Sequence, residues 1–377
     1  MILAVVKETK TSERRVALTP DTAKTLVKAG FTCTVEAGAG TASGFEDTDY
    51  EAAGVEVLPG KETILGRTDV LLKVNAPTAA ELEMLREGSA TLSFLYAHTV
   101  PELLDIYINK RMSAFAMDAI PRISRAQKMD ALSSQANLAG YKAVLLGANA
   151  LGKIFPLMMT AAGTIRPAKV LIFGAGVAGL QAIATAKRLG AVVEVTDVRA
   201  ETKEQVESLG GRFLQVAGNG VETTGGYARE VSAEYLKKQK ELVTKHVADA
   251  DLVITTALVI GKKAPILLTQ EMVKTMKRGS VIVDMAVESG GNCELSEPGR
   301  TVIKHGVSIL GETNLPALLP VNASELYARN ISTLLFHLVD SDGFKWDLDE
   351  EITKGSLITH QGELVHAFTK ELLNTTA

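Results

Sequence analysis

The chain has 377 residues, which is long enough for two domains with a substantial buried core. Its formal net charge of −4 argues against a nucleic-acid-binding protein. The apolar run at the N-terminus is too short for a signal peptide, and no uninterrupted apolar stretch reaches the roughly 20 residues of a membrane helix.

The distant cysteines Cys33 and Cys293 suggest buried thiols in a reducing cytoplasm. The six histidines show no metal-ligand spacing, so we expect no metal site.

Strand-like runs alternate with helical ones, which is typical of α/β proteins with parallel sheets. Residues 1–6 are predicted to form the first strand. A helix follows, with Thr19 as its N-cap, Pro20 in its first turn and Gly30 after its end. Further strands are predicted at 31–36, 69–74, 90–95 and 113–117. These elements make a first domain that ends at residue 127.

A long helical stretch over residues 129–160 is expected to join this domain to a second one, residues 128–313. The strands of the second domain are predicted at 169–173, 192–196, 252–256, 281–284 and 307–310. The tail, about 314–377, is predicted to be helical and to return to the first domain. The predicted fold class is α/β, with two Rossmann-like domains whose parallel sheets are flanked by helices, joined by a long helix, and with a cleft between them.

The run VLIFGAGVAGL at 170–180 predicts a buried strand, a glycine turn and the start of a helix. In this arrangement a dinucleotide-binding fold holds a pyrophosphate at the N-terminus of the helix. Gly174 would allow the tight turn, Gly176 the close approach of the phosphates, and Gly179 the packing of the helix on the strand. The alternative is a tight turn that binds no ligand.

Asp197 ends the next predicted strand, 18 residues after Gly179. At this position in the fold a carboxylate holds the hydroxyl groups of the adenosine ribose. It would repel a 2′-phosphate, which favours NAD over NADP. The alternative is a solvated residue at a strand end.

Two polar segments are further candidates. In 122–133 the amide of Gln127 could bond a ribose or a carboxamide, and Arg122 could pair with Asp130. The segment 211–227 is suited to movement because it is rich in glycine, with Gly218, Gly220, Gly225 and Gly226. A plain surface loop is the alternative for this segment.

Several motifs occur together in the chain: Lys7-Glu8, RVALTP at 15–20, the glycine turn and Asp284-Met285-Ala286. They are accompanied by RISRAQKMDALSSQ at 122–135, GGYA at 225–228 and TTAL at 255–258. With these motifs the chain resembles, from end to end, the NAD(H)-binding component of proton-translocating NAD(P) transhydrogenases. It is also similar to alanine dehydrogenase, which has the same two-domain plan. The motifs at 122–135 and 225–228 favour the transhydrogenase.

The resemblance implies that Arg122, Gln127, Asp130 and Ser133 contact the nicotinamide end of the nucleotide and orient it for hydride transfer. It also implies that the tip of a mobile loop folds over the nucleotide, and that the strand end at 255–258 lies beside its adenosine and ribose. The implied cofactor-binding residues are Arg122, Gln127, Asp130, Ser133, Gly174, Gly176, Val177, Ala178, Gly179, Asp197, Val198, Arg199, Gly226, Tyr227, Ala257 and Leu258.

The resemblance further implies that this chain binds NAD(H), that a partner domain binds NADP(H), and that hydride transfer between them is coupled to proton translocation. Membrane-spanning partner subunits, a homodimer, and a cytoplasmic location at the inner membrane through those partners are also implied. The alternatives are a self-sufficient NAD-dependent alanine dehydrogenase and a nucleotide-sensing protein without chemistry of its own.

The comparison with alanine dehydrogenase places Arg15 and Lys73 where that enzyme binds its keto acid. The preferred interpretation for these two residues here is inherited structure, either an internal ion pair or a domain-capping contact. Tyr96 falls at the position of the catalytic histidine, and His98, two residues later on the same face of a strand, is the alternative. Glu288 falls where the dehydrogenase has an aspartate.

Overall fold

The computed structural model describes residues 1–216, 233–258 and 263–376. The chain forms two compact units: unit 1 comprises residues 1–135 and 316–377, and unit 2 comprises residues 136–315. The helix Ala131–Ala150 begins in unit 1 and ends in unit 2. Within the described ranges, no helix has both the length and the apolar character needed to cross a bilayer.

Unit 1 is built on an eight-stranded sheet. In spatial order its strands are Glu363–Leu364, Leu357–His360, Ser113–Ala116, Ala90–Ser93, Val70–Leu72, Ile2–Val5, Thr32–Glu36 and Glu56–Leu58. The six strands that come first in the chain are parallel to one another. Five of them were predicted as strands of a parallel sheet, whereas Glu56–Leu58 was not. Most of their side chains are buried, because helices cover the sheet.

Nine helices contribute to unit 1 within the described ranges. They are Pro20–Lys28, Asp47–Ala52, Lys61–Leu65, Ala79–Met84, Pro101–Asn109, Pro320–Leu338, Glu351–Ser356, Ala367–Thr376 and the first residues of Ala131–Ala150. A hairpin of Val339–Asp340 and Gly343–Phe344 follows the longest C-terminal helix. The first helix begins after Thr19, as predicted, and the backbone N–H of Thr19 donates to the hydroxyl of Thr22 at 3.1 Å.

The C-terminal tail differs from the prediction, because it is not wholly helical. Pro320–Leu338 does bury Tyr327 and Leu335 in the core of unit 1. However, Leu357–His360 joins the sheet antiparallel to Ser113–Ala116, and Glu363–Leu364 extends it. The sheet is therefore mixed rather than purely parallel, and two antiparallel strands cover what would otherwise be an open parallel edge.

Unit 2 is built on a seven-stranded sheet. In spatial order its strands are Arg212–Phe213, Val192–Thr196, Lys169–Phe173, Leu252–Thr255, Val281–Asp284, Val307–Leu310 and Thr301–Lys304. All neighbours are parallel except the last pair, which is antiparallel. Among the residues of unit 2 that the structure describes, the helices are Val177–Arg188, Lys203–Ser208, Ala233–Asp249, Gln270–Thr275 and the remainder of Ala131–Ala150. Both cysteines of the chain are buried free thiols, as predicted, and burial raises the pKa of Cys33 to about 12 and that of Cys293 to about 11.

The joining helix is shorter than predicted. It ends at Ala150 rather than at residue 160, and Met158–Thr160 and Gly163–Ile165 form a hairpin instead. Gly152 and Pro156 explain the early end, because glycine weakens a helix and proline restricts the residue before it to extended conformations.

The winding of the second sheet determines where a ligand can bind. Lys169–Phe173, the first strand of this sheet in the chain, lies between Val192–Thr196 and Leu252–Thr255. The chain therefore winds first to one side and then to the other. Ligands of such sheets bind beyond the carboxyl ends of the strands at this switch point. The predicted α/β fold class is confirmed, and the glycine turn lies at the switch point.

Candidate nucleotide-binding site

The glycine turn has no room for side chains at two of its three glycines. Gly174 has φ +98°, a conformation that favours glycine, and a Cβ there would lie 2.4 Å from the hydroxyl oxygen of Thr256. A Cβ at Gly179 would lie 1.9 Å from the carbonyl oxygen of Gly174. The Thr256 hydroxyl donates to the carbonyl of Phe173 at 3.0 Å, which joins the ends of the two strands at the switch point.

Gly176 is different, because a Cβ there would meet no atom of the described residues within 4 Å. This residue precedes the helix Val177–Arg188, and no side chain from the described ranges caps the helix start. The first N–H groups of a helix have no partner within it, and they carry its positive end. Open space therefore lies in front of these N–H donors, and this is the arrangement that a pyrophosphate requires.

Asp197 lies against the same turn. Its Oδ2 accepts a hydrogen bond from the N–H of Ala175 at 2.6 Å, and its side chain is only 5% exposed. The guanidinium of Arg199 holds the carboxylate from the other side, with Nε 3.0 Å from Oδ1 and Nη2 2.9 Å from Oδ2. Burial alone would raise the pKa of Asp197, but the hydrogen bonds from Arg199 and Ala175 outweigh burial and lower it. The carboxylate is thus ionised and fixed beside the turn, with Val198 fully exposed between the two partners.

The strand end at Ala257 is held by a residue that the sequence analysis missed. The side chain of Asn292 is buried, and its Oδ1 accepts from the N–H of Ala257 at 3.0 Å. Its Nδ2 donates to the carbonyls of Ala257 and Pro265, both at 2.9 Å. The backbone N–H of Asn292 in turn donates to Asp284, at 2.9 Å from Oδ2. These partners are far apart in the chain, so no local pattern could have indicated the role of Asn292.

The predicted nicotinamide segment lies in unit 1, whereas the glycine turn lies in unit 2. Asp130 precedes the helix Ala131–Ala150, and its Oδ1 accepts from the N–H of Ser133 at 2.9 Å and its Oδ2 from the hydroxyl of Ser133 at 2.6 Å. Two of the predicted site residues therefore contact each other. The expected pair of Arg122 with Asp130 is wrong, because Asp130 caps the helix instead and Arg122 makes no ion pair within the described ranges.

The other side chains of this segment divide into exposed and anchored ones. The side chains of Arg122 and Gln127 are exposed and form no hydrogen bond to the residues that the structure describes. The turn that carries them is held by Asn330 of the helix Pro320–Leu338. The amide of Asn330 donates to the carbonyl of Lys128 at 2.8 Å and accepts from the hydroxyl of Ser134 at 2.7 Å. The donors of Arg122 and Gln127 are thus available to a ligand on a fixed turn.

Gly226 and Tyr227, and with them the expected loop tip 225–228, lie outside the described residues. Leu258 is the last described residue before a second gap, and its side chain is 58% exposed.

Arg15 and Lys73 form internal ion pairs, which is one of the two structural roles expected for them. Arg15 binds Glu13 through two contacts of 2.7 Å and 2.8 Å and donates to Gln135 at 2.9 Å. Lys73 lies 3.2 Å from Glu81 and 3.8 Å from Glu8. Arg15, Lys73 and their three carboxylates are all buried.

Tyr96 and His98 do not lie on a strand, which overturns the argument that they share a strand face. The strand Ala90–Ser93 ends before them, Tyr96 has φ +45°, and His98 lies in a 3₁₀ turn of residues 97–99. Asp118 shapes this bend, because it accepts from the backbone N–H groups of Leu95 at 2.7 Å and Tyr96 at 3.1 Å. Glu288 is exposed in a 3₁₀ turn after Val281–Asp284.

Comparisons with known proteins agree with this architecture. The family model described as alanine dehydrogenase/PNT, N-terminal domain, matches residues 4–139, and the C-terminal domain model matches residues 143–367. A protein of Rhodospirillum rubrum, named as the first of the parts that make up NAD(P) transhydrogenase subunit alpha, is 50% identical, covering 97% of this chain and 98% of the relative. The alanine dehydrogenase of Bacillus subtilis is 30% identical, covering 97% and 93%.

A solved structure of a transhydrogenase from Sinorhizobium meliloti superposes with a TM-score of 0.89 at 44% identity, covering 97% of this chain and 100% of that one. Two family models match, and the sequence identity is high over nearly the whole length. The similarity is therefore one of sequence as well as of fold. The chain therefore belongs to the alanine dehydrogenase/PNT family, in which its transhydrogenase relative from Rhodospirillum rubrum is more similar to it than the alanine dehydrogenase is.

Proposed function

We propose that this chain is the NAD(H)-binding component of a proton-translocating NAD(P) transhydrogenase. The observation that carries the proposal is the open space at Gly176, in front of an uncapped helix and beside the fixed carboxylate of Asp197. The higher identity to a transhydrogenase subunit than to an alanine dehydrogenase supports it. NADP(H) would be bound by a partner domain, and membrane-spanning partner subunits would hold the chain, as a homodimer, at the cytoplasmic face of the inner membrane.

The residues of unit 2 fit the pyrophosphate and adenosine ends of a dinucleotide. The N–H groups of Val177 and Ala178 would donate to the phosphates, because they belong to the uncapped first turn. Asp197, which is ionised, would accept hydrogen bonds from the ribose hydroxyls. Ala257 and Leu258 would adjoin the adenosine.

The residues of unit 1 would orient the nicotinamide end. Arg122 and Gln127 offer exposed donors, and Asp130 with Ser133 fixes the turn that carries them. Gly226 and Tyr227 would cover the bound nucleotide and exclude water. The nicotinamide itself supplies or accepts the hydride, so no residue of this chain has to act as an acid or base. The contribution of the chain is orientation and exclusion of water.

A two-stage assay tests the proposal. The purified chain is given NADH with pyruvate and ammonia, and then NADH with an NADP analogue and an NADP-binding domain from a related transhydrogenase. We expect hydride transfer only in the second assay. Turnover with pyruvate and ammonia by the chain alone would instead show an alanine dehydrogenase, for which Arg15 and Lys73 would be candidate substrate residues. NADH binding without activity in either assay would indicate a nucleotide sensor.

Gln127→Ala should slow hydride transfer on the order of 10- to 100-fold, because a nicotinamide that is held in the wrong orientation reacts poorly. NADH affinity should stay within about threefold of the original, since most of the nucleotide is held by unit 2. Stopped-flow transfer with the partner domain and calorimetric titration with NADH measure the two effects. Lys128→Ala, an exposed neighbour, is the matched control. Unchanged transfer in Gln127→Ala would remove Gln127 from the site.

A further inference from the structure

Tyr96 is held in a backbone conformation that tyrosine rarely adopts. Its φ is +45°, in the left-handed region, where a bulky side chain is strained and glycine or asparagine is accommodated more easily. Asp118 holds this conformation, because its carboxylate accepts from the backbone N–H groups of Leu95 at 2.7 Å and Tyr96 at 3.1 Å. Only the backbone of residue 96 takes part, so these hydrogen bonds do not account for a tyrosine side chain. Strained residues of this kind are concentrated at functional sites.

The ring of Tyr96 is both exposed and fixed in place. Tyr96 is 45% exposed, although its ring stacks on that of Phe94, with centroids 6.0 Å apart and planes at 21°. The ring of Phe94 packs in turn against that of the buried Tyr327 at 5.2 Å. The hydroxyl of Tyr327 donates to the carbonyl of Lys73 at 2.7 Å. The three packed rings therefore run from the core of unit 1 to its surface and end at Tyr96.

Tyr96 lies at the edge of the sheet from which the predicted nicotinamide segment starts. It follows the strand Ala90–Ser93, whose last residue lies opposite the last residue of the parallel strand Ser113–Ala116. The chain leaves Ser113–Ala116 at this edge and continues through Asp118 to the segment 122–133. The same Asp118 makes the two hydrogen bonds to the bend at Tyr96. The aromatic ring and the exposed donors of the segment thus belong to one edge of unit 1.

A nicotinamide requires more than the polar donors of Arg122 and Gln127. Its carboxamide can bond to such donors, but its ring is flat and aromatic, and aromatic side chains pack well against rings of this kind. The oxidised ring is also a cation, which is attracted to the face of an aromatic side chain. Tyr96 presents a fixed aromatic surface of this kind at the same edge.

We propose that Tyr96 contacts the nicotinamide ring of the nucleotide that this chain binds, and that it favours the oxidised form of that ring. The exposed part of the phenol ring would make the contact, while Phe94 keeps the ring in place. The strained backbone then has a purpose, because it keeps an aromatic side chain at the surface. This inference rests on the proposed function in one respect, namely that a nicotinamide lies at the segment 122–133.

Calorimetric titration of the full chain with NAD⁺, NADH and ADP-ribose, which lacks the nicotinamide, tests the proposal. Tyr96→Asn is the main variant, because asparagine tolerates the left-handed conformation and removes the ring. Tyr96→Phe keeps the ring and removes only the hydroxyl. Phe336→Asn is the matched control: Phe336 is 41% exposed and packs against Phe31, which precedes the strand Thr32–Glu36 at the opposite edge of the sheet.

Tyr96→Asn should bind NADH about 3- to 10-fold more weakly than the original protein does, because the nicotinamide loses an aromatic contact. Its loss for NAD⁺ should be larger by a further factor of about 2 to 5, because the cationic ring also loses its attraction to the phenol ring. Its affinity for ADP-ribose should stay within about twofold of the original. Tyr96→Phe should lose much less affinity than Tyr96→Asn, and Phe336→Asn should leave all three constants unchanged.

Equal changes for all three ligands in Tyr96→Asn, or no change for any of them, would overturn the proposed contact. A Tyr96→Phe protein as weak as Tyr96→Asn would also overturn it, because the ring would then not be what binds. A loss for NAD⁺ no larger than that for NADH would overturn the preference for the oxidised form.

The test remains decisive if Tyr96→Asn is unfolded by circular dichroism. Tyr96→Gly then replaces it, because glycine adopts the left-handed conformation without strain. A failure of the proposed function has a different signature, since the original protein would then bind neither NADH nor ADP-ribose.

Discussion

Gly174, Gly176 and Gly179 lie within six residues, but the surroundings of the three residues differ. A Cβ at Gly179 would lie 1.9 Å from a backbone oxygen, whereas a Cβ at Gly176 would meet none of the described atoms within 4 Å. Gly179 is therefore required for the packing of the fold, whereas Gly176 would be required only for ligand binding. The two substitutions separate folding from binding.

Gly176→Ala should fold normally but bind NADH on the order of tenfold more weakly or worse, because its methyl group occupies the space in front of the helix. Gly179→Ala should lower the free energy of unfolding by about 1–3 kcal/mol, because the backbone has to shift. Urea denaturation and calorimetric titration with NADH measure the two quantities. If Gly176→Ala bound NADH as tightly as the original protein, the phosphates would have to lie elsewhere.

At the scale of elements, the helix Ala79–Met84 depends on a lysine from outside it. It has only six residues, which is too short to be stable alone. Thr78 caps its start by accepting from Glu81 at 3.2 Å. At its end, Nζ of Lys110 donates to the carbonyls of Leu82 at 3.0 Å, Glu83 at 2.6 Å and Leu85 at 2.7 Å. One ammonium group thus satisfies three carbonyls and the negative end of the helix.

Lys110→Met should lower the free energy of unfolding by about 1–2 kcal/mol, because the carbonyls lose a charged donor while the side-chain volume is nearly kept. Urea denaturation followed by circular dichroism measures the loss. Lys24→Met, at an exposed position of another helix, is the control and should change stability by less than about 0.5 kcal/mol. Equal effects of the two substitutions would contradict the capping role of Lys110.

The elements also show where sequence patterns are informative. Long apolar strands such as Lys169–Phe173 and Val192–Thr196 were predicted at the observed bounds, because their burial imposes a clear composition. The strand Leu357–His360 was missed, because it follows the helix Glu351–Ser356 directly and two of its four residues are polar, so nothing local marks it as a strand. Its conformation is imposed by pairing with Ser113–Ala116, about 245 residues away in the chain.

At the scale of the whole molecule, buried charges join the two ends of the chain within unit 1. Arg15 donates to Glu13 at 2.7 Å and to Oε1 of Gln135 at 2.9 Å. Nε2 of Gln135 in turn donates to the carbonyl of Ala323, in the helix Pro320–Leu338, at 3.0 Å. Burial would raise the pKa of Glu13, but the hydrogen bonds and charge of Arg15 outweigh it and lower the pKa from 4.5 to about 2. Because the folded state holds the ionised form, this carboxylate stabilises the protein above pH 4.5 and loses that contribution as the pH falls towards 2.

Glu13→Gln should therefore destabilise the protein at neutral pH by an amount on the order of 3 kcal/mol, and should flatten the fall of stability between pH 4.5 and 2. Burial raises the pKa of the neighbouring Glu8, which is the opposite direction to the shift of Glu13. The only tryptophan, Trp346, stacks in unit 1 at 4.8 Å from Phe344 and reports its unfolding by fluorescence. Parallel pH profiles for the two proteins would rule out this role of Glu13.

The sequence by itself determined the fold class, the first strand and helix, the glycine turn and the acidic residue after the second strand of unit 2. These features depend on local composition and on short-range backbone geometry, and residues that are close together in the sequence determine both. Tertiary structure alone decided that Asn292 holds Ala257, that Asp130 bonds to Ser133 rather than to Arg122, and that Arg199 pairs with Asp197. Each of these outcomes is a choice among several polar partners, and only the folded backbone brings one of them within hydrogen-bond distance.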